Sequence, residues 1–306
     1  MPARVSNWYP AAFPQIDPRG GSVVGSATDP AVKKTRYEDL LRRVHWKLLP
    51  RTYLEIGVHS GGSLRFVLPN TEVIGIDPEP QIPFELRPGI HVYAETSDDF
   101  FANTDVLKVF RQPDLDLAFI DGLHLFEFAL RDFINVERLM TPDGVVLIDD
   151  CHSDDPAEAS RDRETPRWTG DVWKLIVCLR QYRPDLDVRV VDLAPAGVGV
   201  VTGLDPSSTV LTDAYDEILA AYVPRGYDTI AGRERQALNL QPFDWRLLSR
   251  SLPSAHASSA PLGVKMQAML ASSRLSLSRS SIGGLARTLK RAILGRGSPS
   301  TGPATT

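Results

Sequence analysis

Aspartates that close two apolar stretches are the residues of this sequence whose types and spacing could do chemistry. The stretch VVLIDDC runs through four apolar residues and stops at Asp149 and Asp150, and the earlier stretch LAFID stops at Asp121. Adjacent carboxylates repel each other unless a positive charge lies between them. Carboxylate oxygens are ligands that Mg²⁺ prefers. The three aspartates predict a site for Mg²⁺ or another hard divalent cation. The alternatives are that Asp149 and Asp150 begin an exposed acidic loop, or that Asp149 caps a helix.

A glycine-containing turn beside another carboxylate indicates the kind of cofactor. The segment YLEIGVHSGGS places Glu55 near the end of an apolar run and Gly57, Gly61 and Ser63 in the turn that follows. Glycines allow the backbone to approach a ligand closely. The dinucleotide fingerprint GxGxxG is absent, and Glu55 would repel a pyrophosphate while attracting an amino group or a sulfonium. The pattern therefore favours S-adenosylmethionine over NAD.

Asp77 supports an adenosine-type cofactor. It ends the next apolar run, about 20 residues after Glu55, which is the separation at which an acidic residue reaches ribose hydroxyls in such folds. The alternative is that Asp77, in the string IDPEP, only begins a turn, as Asp before Pro commonly does.

Short apolar runs that alternate with helical or loop segments must position these residues. The runs are continuously apolar, which is typical of strands buried on both faces of a parallel sheet: YLEIGV, EVIGID, IHVYAE, DLAFID, VVLIDD, DVRVVD and GVGVVTG. The last two are close in sequence and are predicted to form an antiparallel pair at the edge. We expect an α/β fold, a doubly wound Rossmann-like, mostly parallel sheet of seven strands over residues 35–222.

Helical periodicity appears in three segments of this domain. Thr35 and Glu38 have capping-box spacing, and the helix they predict ends at Pro50. A second helix is expected from Phe126 to Leu139, before the turn signal TPDG, and a third from Asp171 to about Arg183.

The cofactor turn resembles the class I S-adenosylmethionine-dependent methyltransferases. The pattern E-x-G-x-x-x-G-x-S is similar to that of a bacterial branch related to the catechol-type and macrocin-type metal-dependent O-methyltransferases. The resemblance implies S-adenosyl-L-methionine as cofactor, with the methionine part near Glu55, the ribose at Asp77 and the adenine near Ser97 and Asp98. It assigns eight residues to cofactor binding: Glu55, Gly57, Gly61, Ser63, Asp77, Ser97, Asp98 and Asp121. It also implies Mg²⁺ on Asp121, Asp149 and Asp150, and a small-molecule or sugar hydroxyl as acceptor.

His124 is the expected catalytic residue. It follows Asp121 by three residues, where the catechol-type enzymes place a basic residue, and a histidine can accept a proton near neutral pH. The alternatives are that His124 caps the next helix or orients Asp121, or that His152 is the base. The polar segment 153–170 is placed to cover the site, and Trp168 and Trp173 are either acceptor-stacking or core residues.

The ends of the chain differ from the middle in composition. Residues 1–34 are expected to form an irregular arm, residues 223–250 an extension, and residues 251–306 a Ser-rich flexible tail with seven basic and no acidic residues. An amphipathic helix over 282–294 could contact a membrane surface or a partner. The acidic body argues against nucleic-acid binding, and without a signal or membrane-spanning stretch the expected location is cytoplasmic.

Other function classes stay open on sequence alone. A nucleotide-dependent oxidoreductase would use the same fold, and a hydroxylase-like enzyme would need redox iron, for which the three carboxylates lack a two-histidine set. A non-catalytic surface-docking protein governed by the basic tail is the third alternative. Neither the acceptor nor the oligomeric state follows from the sequence.

Overall fold

A computed structural model describes residues 35–110 and 114–253 of the chain. The predicted arm, most of the predicted tail and its helix at 282–294 lie outside the described residues. The described part contains nine α-helices: α1 (Tyr37–Leu48), α2 (Ser97–Asn103), α3 (Val106–Val109), α4 (Phe126–Glu137), α5 (Trp173–Tyr182), α6 (Val210–Asp213), α7 (Tyr215–Tyr222), α8 (Glu234–Ala237) and α9 (Trp245–Ser251). None of these helices is long and apolar enough to cross a membrane.

One sheet of eight strands organises the described residues. Its members are β1 (Thr52–Ile56), β2 (Glu72–Ile76), β3 (Ile90–Tyr93), β4 (Leu115–Ile120), β5 (Met140–His152), β6 (Asp187–Asp192), β7 (Gly197–Thr202) and β8 (Leu240–Pro242). The order is β3-β2-β1-β4-β5-β7-β6-β8, with β1 to β5 parallel and β7 antiparallel to both neighbours. The doubly wound α/β prediction is confirmed, and so is the antiparallel pair of β6 and β7.

Three local details differ from the sequence predictions. The short strand β8 pairs with β6, so the antiparallel pair does not lie at the edge. The predicted turn TPDG is the first part of β5, which pairs with β4 from Met140 onward through a register shift. The N-cap of α1 is Arg36 rather than Thr35, and no side chain caps that helix, because Glu38 instead binds the Arg36 guanidinium.

The central strands are buried on both faces, and alternation assigns each residue to one of two apolar layers. Ala118 and Ile120 belong to the layer formed with α4 and α5. Leu117 and Phe119 belong to the opposite layer, which is formed with α1. The carboxyl ends of β1, β2, β4 and β5 share one edge of the sheet, where an open α/β fold binds its ligands.

Candidate active site

Glycine at position 57 allows the end of β1 to lie directly against Asp121. Gly57 has φ of 89°, and a Cβ there would lie 1.7 Å from the carbonyl oxygen of Asp121. Only a residue without a side chain fits such an approach and such a φ. The predicted cofactor turn and the first predicted metal ligand are therefore neighbours.

Glu55 is an interior residue of this turn. It is 1 % exposed, and its carboxylate accepts hydrogen bonds from the Tyr53 hydroxyl, at 2.8 Å, and from Ser63. Burial raises the pKa of Glu55 to about 8, against the lowering effect of both hydroxyls. Gly61 follows, with its N–H bonded to the carbonyl of Val58. Glu55 and Ser63 therefore form a buried hydrogen-bonded unit in this turn.

Asp77 ties the end of β2 to the cofactor turn. One carboxylate oxygen accepts from the N–H of His59 at 2.7 Å, and the other accepts from the N–H of Glu79 at 2.8 Å. The second bond is the Asx turn that the alternative interpretation describes. Both roles are compatible, because each carboxylate oxygen retains a lone pair that can accept from a ribose hydroxyl.

Ser97 and Asp98 begin α2 beyond β3, and Asp98 is already paired. The Arg131 guanidinium binds it in a bidentate pair with N–O distances of 2.8 and 2.7 Å, and also donates to the Tyr215 hydroxyl at 3.1 Å. Arg131 in turn stacks over the Phe128 ring. Asp98 therefore fixes α2 to α4.

Asp121, His124 and Asp150 form the polar cluster at the centre of the edge. Each offers one atom that could ligate a cation, and these atoms all lie within 4.8 Å of one another. His124 Nε2 is 3.6 Å from Asp121, and Nδ1 is 3.0 Å from Asp150. The structure thus brings together two of the three predicted metal ligands with the predicted base, and all three are partly exposed.

Asp149 lies next to this cluster without belonging to it. It is buried, and its Oδ1 has no hydrogen-bond partner among the described residues. Burial and the charges of Asp121 and Asp150 raise the pKa of Asp149 well above its usual range. An orphaned carboxylate oxygen at this depth is costly unless a proton or a cation neutralises it.

His124 is cationic when the nearby acidic charges are not otherwise compensated. Burial lowers the pKa of its imidazole, but the interactions with Asp121 and Asp150 outweigh this effect and raise it to about 9. Nδ1 is also 2.9 Å from the carbonyl oxygen of Trp168. Because a carbonyl can only accept, Nδ1 carries a proton and Nε2 is the nitrogen that can exchange one.

The segment 153–170, which is predicted to cover the site, packs directly against His124. The Trp168 ring stacks on the imidazole at 5.4 Å between ring centres, and the N–H of Asp171 donates to the His124 carbonyl at 3.1 Å. Gly170 has φ of 59°, and a Cβ there would lie 1.8 Å from the same carbonyl oxygen. Trp168 is therefore a wall of the site, whereas Trp173, only 2 % exposed and packed on Tyr227, belongs to the core.

Asp171 extends this attachment to the start of α4. Its Oδ1 accepts from the N–H of Phe126 at 2.7 Å, and its Oδ2 pairs with Lys174 and Arg161. No local pattern in the sequence marks the contacts of Gly170 with His124 or of Asp171 with Phe126, since these partners are more than 40 residues away. The presence of Asp immediately after Gly at the end of a polar segment is the only signal that could have drawn attention to them.

Two further histidines near the carboxyl ends of the strands, His152 and His59, occupy different places. His152 lies at the end of β5 in a separate group with Asp154 and Asp192, whose potential ligand atoms also lie within 4.8 Å of one another. His59 lies in the cofactor turn, where its backbone N–H binds Asp77. Of the three, His124 is the histidine in the Asp121–Asp150 cluster.

Residues 54–151 match a family model described as a methyltransferase domain. No curated protein matches the chain. Similar solved structures include the O-methyltransferase TomG from Streptomyces achromogenes, involved in tomaymycin synthesis and in complex with S-adenosylmethionine (17 % identity, TM-score 0.41, 54 % of this chain and 78 % of TomG). Two others are bound to S-adenosylhomocysteine. One is the Podospora anserina methyltransferase PaMTH1 (16 % identity, TM-score 0.42, 55 % of this chain and 78 % of PaMTH1). The other is an O-methyltransferase from Bacillus cereus (15 % identity, TM-score 0.38, 57 % of this chain and 82 % of that chain).

The matched segment contains the strands and turns that carry Glu55, Asp77 and Asp121, and it ends just past Asp149 and Asp150. By this match, residues 54–151, which include most of the parallel part of the doubly wound sheet described above, are similar to a methyltransferase domain.

Proposed function

We propose that the chain is an S-adenosylmethionine-dependent O-methyltransferase that uses Mg²⁺ or another hard divalent cation and methylates a hydroxyl of a small molecule or a sugar. The observation that carries this proposal is the grouping of Asp121, Asp149 and Asp150 beside the turn that holds Glu55. One atom of this group, Asp149 Oδ1, is buried without a partner among the described residues.

The donor set fits a hard cation better than redox iron. Asp121 and Asp150 supply oxygen atoms within 4.8 Å of each other, and Asp149 would supply a third. The cluster contains one imidazole, whereas a facial iron site uses two. A divalent cation held by these carboxylates would lower the pKa of the acceptor hydroxyl and fix its position.

The protein's own part in the reaction is to place the acceptor and to move its proton. The acceptor oxygen attacks the methyl carbon in line, the carbon–sulfur bond breaks, and its electron pair stays on the sulfur, giving S-adenosylhomocysteine. His124 Nε2 takes the hydroxyl proton, while the Trp168 carbonyl holds Nδ1 in place. This role requires His124 to be neutral beforehand, and hence the charges of Asp121 and Asp150 to be compensated.

Asp149→Asn tests the cation site, since it removes the charge and keeps the shape. We expect methyl transfer to fall roughly 100-fold or more while the dissociation constant of S-adenosylhomocysteine changes little. Transfer is measured by mass spectrometry with labelled S-adenosylmethionine and an extract of candidate acceptors, with and without EDTA followed by Mg²⁺. Asp143→Asn, an exposed change in the same strand, is the matched control.

Two results would contradict different parts of the proposal. Full turnover of the wild-type protein in EDTA would remove the cation from the mechanism and leave methyl transfer standing. A wild-type protein that binds NAD and not S-adenosylhomocysteine would exclude the proposed activity altogether.

A further inference from the structure

Three acidic residues near the ends of neighbouring strands lie on the same side of the sheet. Glu55, Asp121 and Asp149 occupy alternate positions that continue from Tyr53, Phe119 and Leu147, which belong to the apolar layer formed with α1. By the two-residue period of a strand, the three carboxylates stand on that side as well. The side facing α1 therefore carries Glu55 of the cofactor turn and two of the three predicted metal ligands.

The first turn of α1 is held at this edge by backbone hydrogen bonds. The N–H of Tyr37 donates to the Ala194 carbonyl at 3.0 Å, and the N–H of Ala194 donates to the Thr35 carbonyl at 2.9 Å. Ala194 follows β6, which ends at the same edge as β1, β4 and β5 because it runs parallel to them. The start of α1 is thus fixed at the edge of the sheet where the acidic groups lie.

Tyr37 is the residue of α1 that this arrangement places near Asp121 and Asp149. Its ring stacks on Phe119, two residues before Asp121, with 6.2 Å between ring centres and an interplanar angle of 20°. Burial raises the pKa of Tyr37, and the charges of Asp121 and Asp149 raise it further. The phenol therefore keeps its proton at neutral pH and is a hydrogen-bond donor on the side of the sheet that carries Asp121 and Asp149.

We propose that Tyr37 is an acceptor-binding residue, whose hydroxyl donates a hydrogen bond to the oxygen that receives the methyl group. This inference rests on the proposed O-methyltransferase function. The attacking oxygen uses one lone pair for the methyl carbon and can accept from Tyr37 with another. Carboxylates that held the cation would be ionised and could not supply such a bond, because they would have no proton to donate.

Tyr37→Phe removes the hydroxyl and retains the ring that stacks on Phe119. With pyrocatechol as the probe acceptor, we expect kcat/KM for the acceptor to fall about 10-fold, the value of one lost hydrogen bond to a substrate. The dissociation constant of S-adenosylhomocysteine and the melting temperature should stay close to wild type. Tyr182→Phe removes a hydroxyl that binds Glu217 on another part of the molecule and should change neither quantity.

The outcomes separate this inference from the function on which it rests. Unchanged acceptor kinetics in Tyr37→Phe, with a wild-type protein that methylates pyrocatechol, would overturn the role of Tyr37 alone. An equal loss of affinity for S-adenosylhomocysteine would also overturn it, since the hydroxyl would then serve the cofactor. A wild-type protein that fails to bind S-adenosylhomocysteine would instead remove the proposed function.

Discussion

Asp149 and Asp150 are adjacent in sequence yet have different surroundings. Asp149 alternates with Leu147 along β5 and lies on the α1 side, where its charge raises the pKa of Tyr37. Asp150 contacts His124, which precedes α4 on the opposite side, and it has φ of 59° at an irregular point of β5. Aspartate tolerates this left-handed conformation better than most residues. The doubled carboxylate therefore links the two sides of the sheet at one strand end.

Glu55 gives a prediction at the scale of a single residue. Its pKa is about 8 in the folded protein against about 4.5 for an ordinary glutamate, so the folded state keeps a proton that the unfolded state releases. The free energy of unfolding should fall as pH rises from about 4.5 to 8, by an amount on the order of 2 to 4 kcal/mol. Glu55→Gln should remove this fall.

Urea unfolding at several pH values measures this effect. Glu79→Gln, an exposed change beyond the end of β2, is the control and should keep the wild-type slope. A Glu55→Gln protein with the same pH dependence as wild type would show that Glu55 is ionised in the folded state.

At the scale of elements, the fit between the segment 153–170 and the loop before α4 depends on Gly170. Alanine there would place a Cβ 1.8 Å from the His124 carbonyl oxygen and would also have to adopt φ of 59°. Gly232 has φ of 74° with no atom within 4 Å of the corresponding position. Gly232→Ala therefore measures the conformational cost without the clash, about 1 to 2 kcal/mol.

Gly170→Ala should lower the free energy of unfolding by about 3 kcal/mol or more, well beyond Gly232→Ala. It should also reduce methyl transfer, because the Trp168 contacts with His124 would shift. Denaturant unfolding and activity measured side by side check both effects. Equal destabilisation by the two changes would mean that the segment moves away from His124 at little cost.

The sequence predicts those parts of the site that follow from strand ends. Asp121 and Asp149 close apolar runs, and parallel strands bring such ends to one edge, so their approach could be expected. The contacts of His124 with Trp168 and Asp150, and of Asp98 with Arg131, join residues far apart in the chain. They depend on how helices and loops pack on the sheet, and the local pattern around each residue carries no signal of its partner.

The place of Tyr37 at the site likewise does not follow from the local sequence pattern. Helical periodicity places it on the apolar side of α1, but the sequence does not indicate which edge of the sheet that helix end reaches. The backbone bonds of Ala194 with Thr35 and Tyr37, and the stacking of Tyr37 on Phe119, hold it there. The cofactor turn, in contrast, was recognisable because its glycines and Glu55 are contiguous.

At the scale of the whole molecule, the docking of α1 buries a histidine. His45 is fully buried, neither ring nitrogen has a hydrogen-bond partner among the described residues, and its ring packs edge-on against Tyr53, which binds Glu55. Burial lowers the pKa of His45 to about 3. The imidazole is therefore neutral in the folded protein, and protonation must accompany its exposure in acid.

His45→Leu should change how the entire protein responds to acid. In wild type, the unfolded chain takes up a proton at His45 below about pH 6.5 and the folded chain does not until about pH 3, so the contribution of His45 to stability falls across that window, by an amount on the order of 2 to 4 kcal/mol. Leucine fills a similar volume without polar atoms and should remove this fall. Stability should rise at pH 5 more than at pH 8, as measured by denaturant unfolding, and a gain of equal size at both values would mean that packing rather than protonation is responsible.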